Sequence, residues 1–201
     1  DRITKMVIAA DLIRKKEYPK YGKEPISIGF WVGGKVTPND FDSLKEDPED
    51  YEKTSKARSQ KKLIFKQLLT CPFCGKSLLK RKNGNKDEDI FDLTFNIDIK
   101  RKSIDIYCLD ENCLFYKYRD EKNKIPVYLV DEEIYAKCPT IILSTVDKFA
   151  RLPWAVETNS LFGRVDRECS RDGYVALGAK HSVHKRTDDY PTSSLDPIKP
   201  F

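Results

Sequence analysis

Apolar side chains at Ile3, Met6, Val7, Ala10 and Ile13 recur at helical spacing, with Lys5, Arg14, Lys15 and Lys16 expected on the outside. That rhythm predicts a helix over residues 2–16 with one buried face. Gly22 and Pro25 mark a turn. Residues 26–32 (Ile-Ser-Ile-Gly-Phe-Trp-Val) form a short, nearly continuous apolar run, the pattern of a buried strand, and it stops at Gly33-Gly34. Residues 38–50 read as a loop rich in Asp and Pro and strongly acidic from 40 to 50. A charged helical pattern follows from about 47 to 69, closing on Leu63, Ile64, Phe65, Leu68 and Leu69. Its basic middle (Lys53, Lys56, Arg58, Lys61, Lys62) is expected to be a solvated face.

The period then shortens from helical to strand-like. Phe91, Leu93, Phe95, Ile97 and Ile99 alternate with polar residues, and Ile104 and Ile106 resume the alternation after Lys100-Arg101-Lys102. This predicts a hairpin with the basic triplet at its turn, in a small β module over 71–113, with 81–89 as a polar loop. Strand candidates return at 126–130, before Asp131-Glu132-Glu133, and at 140–144, before Thr145-Val146-Asp147-Lys148. Residues from 185 onward, rich in Asp, Pro, Ser and Thr, read as loop. No internal repeat is visible.

Cysteine spacing adds chemistry to this outline. Cys71-x2-Cys74 and Cys108-x4-Cys113 flank the predicted hairpin, with 33 residues between the two pairs (108 − 74 − 1). Two knuckles of two thiolates each close a tetrahedral zinc site, and a closed four-thiolate site is structural rather than catalytic. Pro72 stiffens the first knuckle and Gly75 lets its backbone turn. The layout is that of a zinc ribbon, with Cys71, Cys74, Cys108 and Cys113 as ligands. Cys138 and Cys169 are expected to be small core residues. Cys169 with the two histidines, His181 and His184, suggests a second metal site that lacks a fourth ligand.

Composition sets outer limits. The chain has 201 residues, 39% hydrophobic and 34% charged, which suits one domain, or one plus a small module. No apolar run approaches the ~20 residues of a membrane-spanning helix. No secretory h-region opens the sequence, so a reducing, cytoplasmic setting is expected, which favours metal over disulfides. The absence of a starting Met suggests the middle of a longer polypeptide. Lys+Arg 37 against Asp+Glu 32 gives a net +5, so charge matters only where it clusters. It clusters at Lys76, Lys80, Arg81 and Lys82 after the first knuckle, and at Lys100-Arg101-Lys102. Those clusters read as a phosphate-facing surface or as a solvated one. Trp31 is expected in the core and Trp154 in a more open place.

Both Gly33-Gly34 and Thr145-Val146-Asp147-Lys148 follow a predicted strand. Here the sequence resembles superfamily 2 helicases, whose first RecA-like domain has a strand ending in Gly-Gly and a later strand ending in a Thr-Pro-Gly/Asp-Arg/Lys turn. Val146 stands where that turn has Pro. A closer resemblance is to helicases of DISARM-like phage-defence systems. It rests on residues 25–34 with Thr37-Pro38-Asn39, on the cysteine module and 130–135, on 139–150, and on Leu161-Phe162-Gly163. The resemblance implies nucleic-acid contact by Gly33, Gly34, Thr145, Asp147 and Lys148, DNA being favoured over RNA. It also implies ATP and Mg²⁺ in the parent protein only. No Gly-x4-Gly-Lys-Ser/Thr phosphate loop is present. Asp131-Glu132 precedes the Thr turn, where the Mg²⁺-binding pair of such enzymes follows it, so these acids are expected to open a helix instead.

The fold class expected is α/β, a partial RecA-like three-layer segment interrupted by a small β zinc-ribbon module. Its expected divisions are 1–36 (first RecA-like part), 37–70 (acidic loop and charged helix), 71–124 (zinc ribbon), 125–184 (second RecA-like part) and 185–201 (tail). The expected function is the nucleic-acid-contacting segment of an ATP-dependent helicase or translocase with a structural zinc. No catalytic residue is assigned, and the partners are nucleic acid and the remainder of the helicase chain, with no membrane. Two rivals are a stand-alone zinc-ribbon module binding nucleic acid or protein, and a metal-dependent enzyme using Asp131, Glu132 and a histidine.

Overall fold

The computed structural model describes residues 2–79, 94–119, 123–187 and 191–198. Lys80, Arg81, Lys82, Phe91, Leu93 and the 81–89 loop lie outside these. In chain order the elements are α1 (Arg2–Lys16), β1 (Ile28–Trp31), α2 (Tyr51–Phe65), β2 (Phe95–Asp98), β3 (Ser103–Ile106), β4 (Val127–Tyr128), α3 (Asp131–Lys137), β5 (Ile141–Ser144), α4 (Val146–Arg151), β6 (Val165–Cys169), β7 (Gly173–Ala176) and β8 (Leu195–Pro197). Short 3₁₀ turns occupy Asp42–Leu44 and Val156–Phe162. The fold is mixed α/β with three small sheets.

The first sheet is parallel, in the order β4-β1-β5, with Ile28 opposite both Val127 and Ile141. Parallel strands need covered faces, which explains the nearly continuous apolar run at 26–32. The second sheet is the expected hairpin, β2 against β3, with Phe95 opposite Ile106 and Lys102 at φ 50 in its turn. The third is antiparallel, β7-β6-β8. It corrects the reading of the tail as loop, because Leu195 pairs with Cys169 and Pro197 with Arg167. The charged run Val-Asp-Arg-Glu-Cys of β6 hid this sheet from a search for apolar alternation.

Helix α1 forms over the expected residues but turns a different face inward. Ile3, Met6 and Ile13 are exposed, while Thr4, Val7, Ile8, Asp11 and Arg14 are buried. A buried ion pair sets the rotation. Arg14 Nε donates to Asp11 Oδ1 at 2.7 Å, and Arg14 Nη1 reaches the carbonyls of Gly22 and Lys23. Asp11 Oδ1 also accepts from the Ile26 backbone N–H at 2.9 Å. The pair thus fixes the turn that launches β1, and it stays favourable because its polar atoms are bonded. Helix α2 starts at Asp50, whose carboxylate accepts from Lys53 N at 2.9 Å, an N-cap. As expected, its basic side chains face outward, where Arg58 and Lys61 meet Glu46.

One hydrophobic cluster runs through these parts. It joins Val7 and Ile8 of α1, Ile28 of β1, Ile64 and Phe65 of α2, Ile104 and Ile106 of β3, and Cys71, Cys108 and Cys113. Phe65 meets Phe95 edge-on at 5.1 Å between ring centroids. No helix among the described residues is long and apolar enough to cross a membrane.

Candidate metal centre and the paired strand ends

The first knuckle is built by local backbone bonds. Cys71 N–H donates to the Lys76 carbonyl at 2.7 Å and Gly75 N–H to the Cys71 carbonyl at 2.8 Å, with Gly75 at φ +76, a conformation glycine adopts without strain. The second knuckle repeats the device. Cys113 N–H donates to Asp110 O at 2.9 Å and Cys108 N–H to Phe115 O at 2.8 Å. Across the pair, Lys76 Nζ meets Asp110 Oδ2 at 2.8 Å, and Phe73 meets Phe115 edge-on.

The four sulfurs lie within 4.8 Å of one another. Cys71–Cys113 and Cys74–Cys108 are each 3.6 Å apart, and none forms a disulfide. A tetrahedron with Zn–S bonds of ~2.3 Å has edges of about 3.8 Å, so the spacing fits a zinc ion. Backbone N–H groups of Asp110 and Phe115 point at the Cys108 and Cys113 sulfurs, each at 3.4 Å, as thiolate ligands require. Without a cation, burial pushes the Cys71 thiol up to about 12 and raises that of Cys113 as well. A dication reverses that balance and holds the sulfurs as thiolates.

The parallel sheet brings the two resemblance motifs together. Trp31 pairs with Ser144, so Gly33-Gly34 and Thr145–Asp147 leave the sheet at the same end. A Cβ placed on Gly33 would sit 3.4 Å from Asp147 Oδ2, and one on Gly34 would sit 3.1 Å from Asn39 Nδ2. Thr145 Oγ1 donates to Asp147 Oδ2 at 3.3 Å. Gly34, Thr145 and Asp147 are exposed and Gly33 is half-buried. Lys148 points the other way. It is 3% exposed, ion-paired with buried Asp131, and donates to Asn39 Oδ1 at 3.0 Å.

Asp131, Glu132 and Glu133 open α3, as expected, but each does more than suit the helix dipole. Asp131 holds Lys148 beneath the strand-end turn. Glu132 accepts from Phe41 N–H at 3.0 Å and pairs with Lys102 of the hairpin turn. Glu133, fully buried, accepts from Ile104 N–H of β3 at 3.1 Å, while its second oxygen has no partner. Burial pushes the Glu133 carboxyl up to about 8 and raises that of Asp131, against which Lys148 acts. Three consecutive acids therefore join α3 to three separate segments. Neither Asp131 nor Glu132 belongs to a metal-capable group among the described residues.

The remaining candidates divide by exposure. Trp31 is buried and its indole N–H donates to Tyr135 Oη at 3.0 Å, whereas Trp154 is exposed. Lys76 and Lys102, from the two basic clusters, are each engaged with a carboxylate. Cys138 caps α3 at φ 45 and its thiol donates to the Tyr135 and Ser160 carbonyls.

No model of a known protein family matches the chain. Across all 201 of its residues it is 42% identical to the DISARM protein DrmA of Bacillus paralicheniformis. The chain spans 16% of that protein's length.

Proposed function

We propose that this chain is the nucleic-acid-facing segment of a DISARM-type phage-defence protein, an ATP-driven superfamily 2 helicase or translocase, with a structural zinc ribbon inserted between two parts of a RecA-like layer. The observation that carries the reading is the 42% identity to DISARM protein DrmA along the whole chain. The parallel β4-β1-β5 sheet supports it, because open α/β sheets bind ligands beyond the carboxyl ends of their strands. The two motifs of the helicase resemblance meet at that end.

In this reading Gly33, Gly34, Thr145 and Asp147 form the face turned to the strand's backbone. The glycines leave room for close approach, and Thr145 and the peptide N–H groups offer donors to phosphate oxygens. Lys148 lies beneath that face and positions the turn through Asp131 and Asn39. The zinc holds the ribbon through Cys71, Cys74, Cys108 and Cys113 and supplies no reactive position. ATP and Mg²⁺ belong to parts of the protein beyond these residues.

The test is nucleic-acid binding by the complete protein that carries this chain, DNA first and RNA second. Combined Gly34→Glu and Thr145→Ala should weaken binding at least tenfold while zinc content stays unchanged. Affinity unaltered at several salt concentrations would remove this face from the track.

A further inference from the structure

The β7-β6-β8 sheet ends in a second cluster of metal-binding side chains. Cys169 closes β6, Asp172 sits in the tight β6–β7 connection, and His181 and His184 come from residues 177–187 that follow β7. One donor atom from each of the four lies within 4.8 Å of the others. His184 Nε2 is 2.9 Å and His181 Nε2 is 3.9 Å from Asp172 Oδ2. These separations bracket the ~3.3 Å edge of a tetrahedron with metal–ligand bonds of about 2.0 Å.

Three buried polar atoms here lack a hydrogen bond, His181 Nε2, Asp172 Oδ1 and Arg171 Nε, and the last two form an ion pair at 3.5 Å on the side of the carboxylate away from His184. Buried polar groups are nearly always satisfied, so an orphan nitrogen aimed into a ring of thiol, carboxylate and imidazole points to a missing cation. We infer that Cys169, Asp172, His181 and His184 bind a second divalent ion, zinc by donor type. One thiolate, one carboxylate and two neutral imidazoles give a charge of −2 that balances the cation. This mixed sulfur, nitrogen and oxygen set suits Zn²⁺ better than Mg²⁺ or Ca²⁺, which take oxygen ligands.

The spacing becomes intelligible once Asp172 is counted. Cys169-x2-Asp172 forms one pair and His181-x2-His184 the other, with eight residues between them (181 − 172 − 1). Four protein ligands leave no open position, so the ion's work is to staple. It ties the segment between β7 and β8 to the β6–β7 turn, where Ser170 and Ser194 exchange backbone and side-chain hydrogen bonds and His184 and Ser193 do the same.

The experiment is metal analysis of the full chain, purified with zinc and washed free of loosely held ions. The native chain should hold two zinc per molecule. The His181→Ala, His184→Ala double variant should hold one, and Cys71→Ser should lose the other. Because histidine removal could unfold the sheet, Asp172→Asn serves as a second variant, and cobalt substitution as a second measurement. Cobalt at the mixed site should show a single-thiolate absorption band that disappears on Cys169→Ser and persists on Cys71→Ser. One zinc per native chain, or two that survive histidine removal, would overturn the inference.

Discussion

The cysteine module and the strand-end face are held in shape by opposite means. In the module four donors come from two short loops, and a cation would bind them to one point. At the strand ends no such cluster is found among the described residues. Lys148, Asn39 and Asp131 come from three segments and meet through a buried ion pair and a hydrogen bond. A zinc ion held there would concentrate the stabilisation at one point, so a single loss would remove nearly all of it. The strand-end face distributes it, so each loss is partial and depends on what is left unpaired.

The largest effect is expected from breaking the concentrated side. Chelation of zinc, or Cys71→Ser, should abolish protection of 94–119 in hydrogen exchange, since metal binding in such modules supplies on the order of 10 kcal/mol of folding free energy. Hydrogen exchange unchanged after complete zinc removal would make the two regions alike.

Next comes Lys148→Ala, which leaves Asp131 buried and alone. Breaking a buried pair from one side costs roughly 3–5 kcal/mol, readable by urea unfolding. Lys148→Met with Asp131→Leu should recover much of that loss. If the double variant is as weak as the single, the pair is not what holds the turn. The same Lys148→Ala change should weaken nucleic-acid binding without altering its salt slope, as befits a positioning residue rather than a phosphate partner.

Glu133 gives a smaller and pH-dependent effect. Its carboxyl titrates near 8 in the fold and is raised there by burial. Its stabilising contribution is therefore complete below the ordinary carboxylate range and is lost as pH rises through about 8. Glu133→Gln should remove that dependence, so native and variant melting curves should diverge between pH 5 and 8, by on the order of 1 kcal/mol or more. Parallel curves would mean the acid is solvated. The smallest effect belongs to Lys76→Ala, whose solvated ammonium bridges to Asp110, and urea unfolding should show the least change of these variants.

What the sequence reveals follows the same division. The clustering of the four cysteines was legible because a metal needs particular donors at short spacing, and both knuckles have that spacing locally. Strands β1, β3 and β5 were legible because their apolar residues carry the burial pattern. The buried face of α1 was misread because Arg14, counted as surface, is neutralised inside by Asp11. The inward turn of Lys148 was invisible because its partner lies 17 residues away and its motif suggested a phosphate. Asp172 was passed over because the search for a second site weighed only thiols and imidazoles. Pairing acids with such donors at short spacing would have found it.

Helix α3 has seven residues and carries, at its first turn, ties to the hairpin strand, to the loop at Phe41 and to the lysine under the strand ends. One Glu133 oxygen keeps its bond to Ile104 N–H only while β3 stays in register, and β3 belongs to the hairpin beside the cysteine pairs. If zinc fills the four-cysteine cluster, its occupancy and the geometry of the strand-end turn are linked through one short helix. A chelator acting at the four cysteines should then be felt at Thr145 on the far side of that helix.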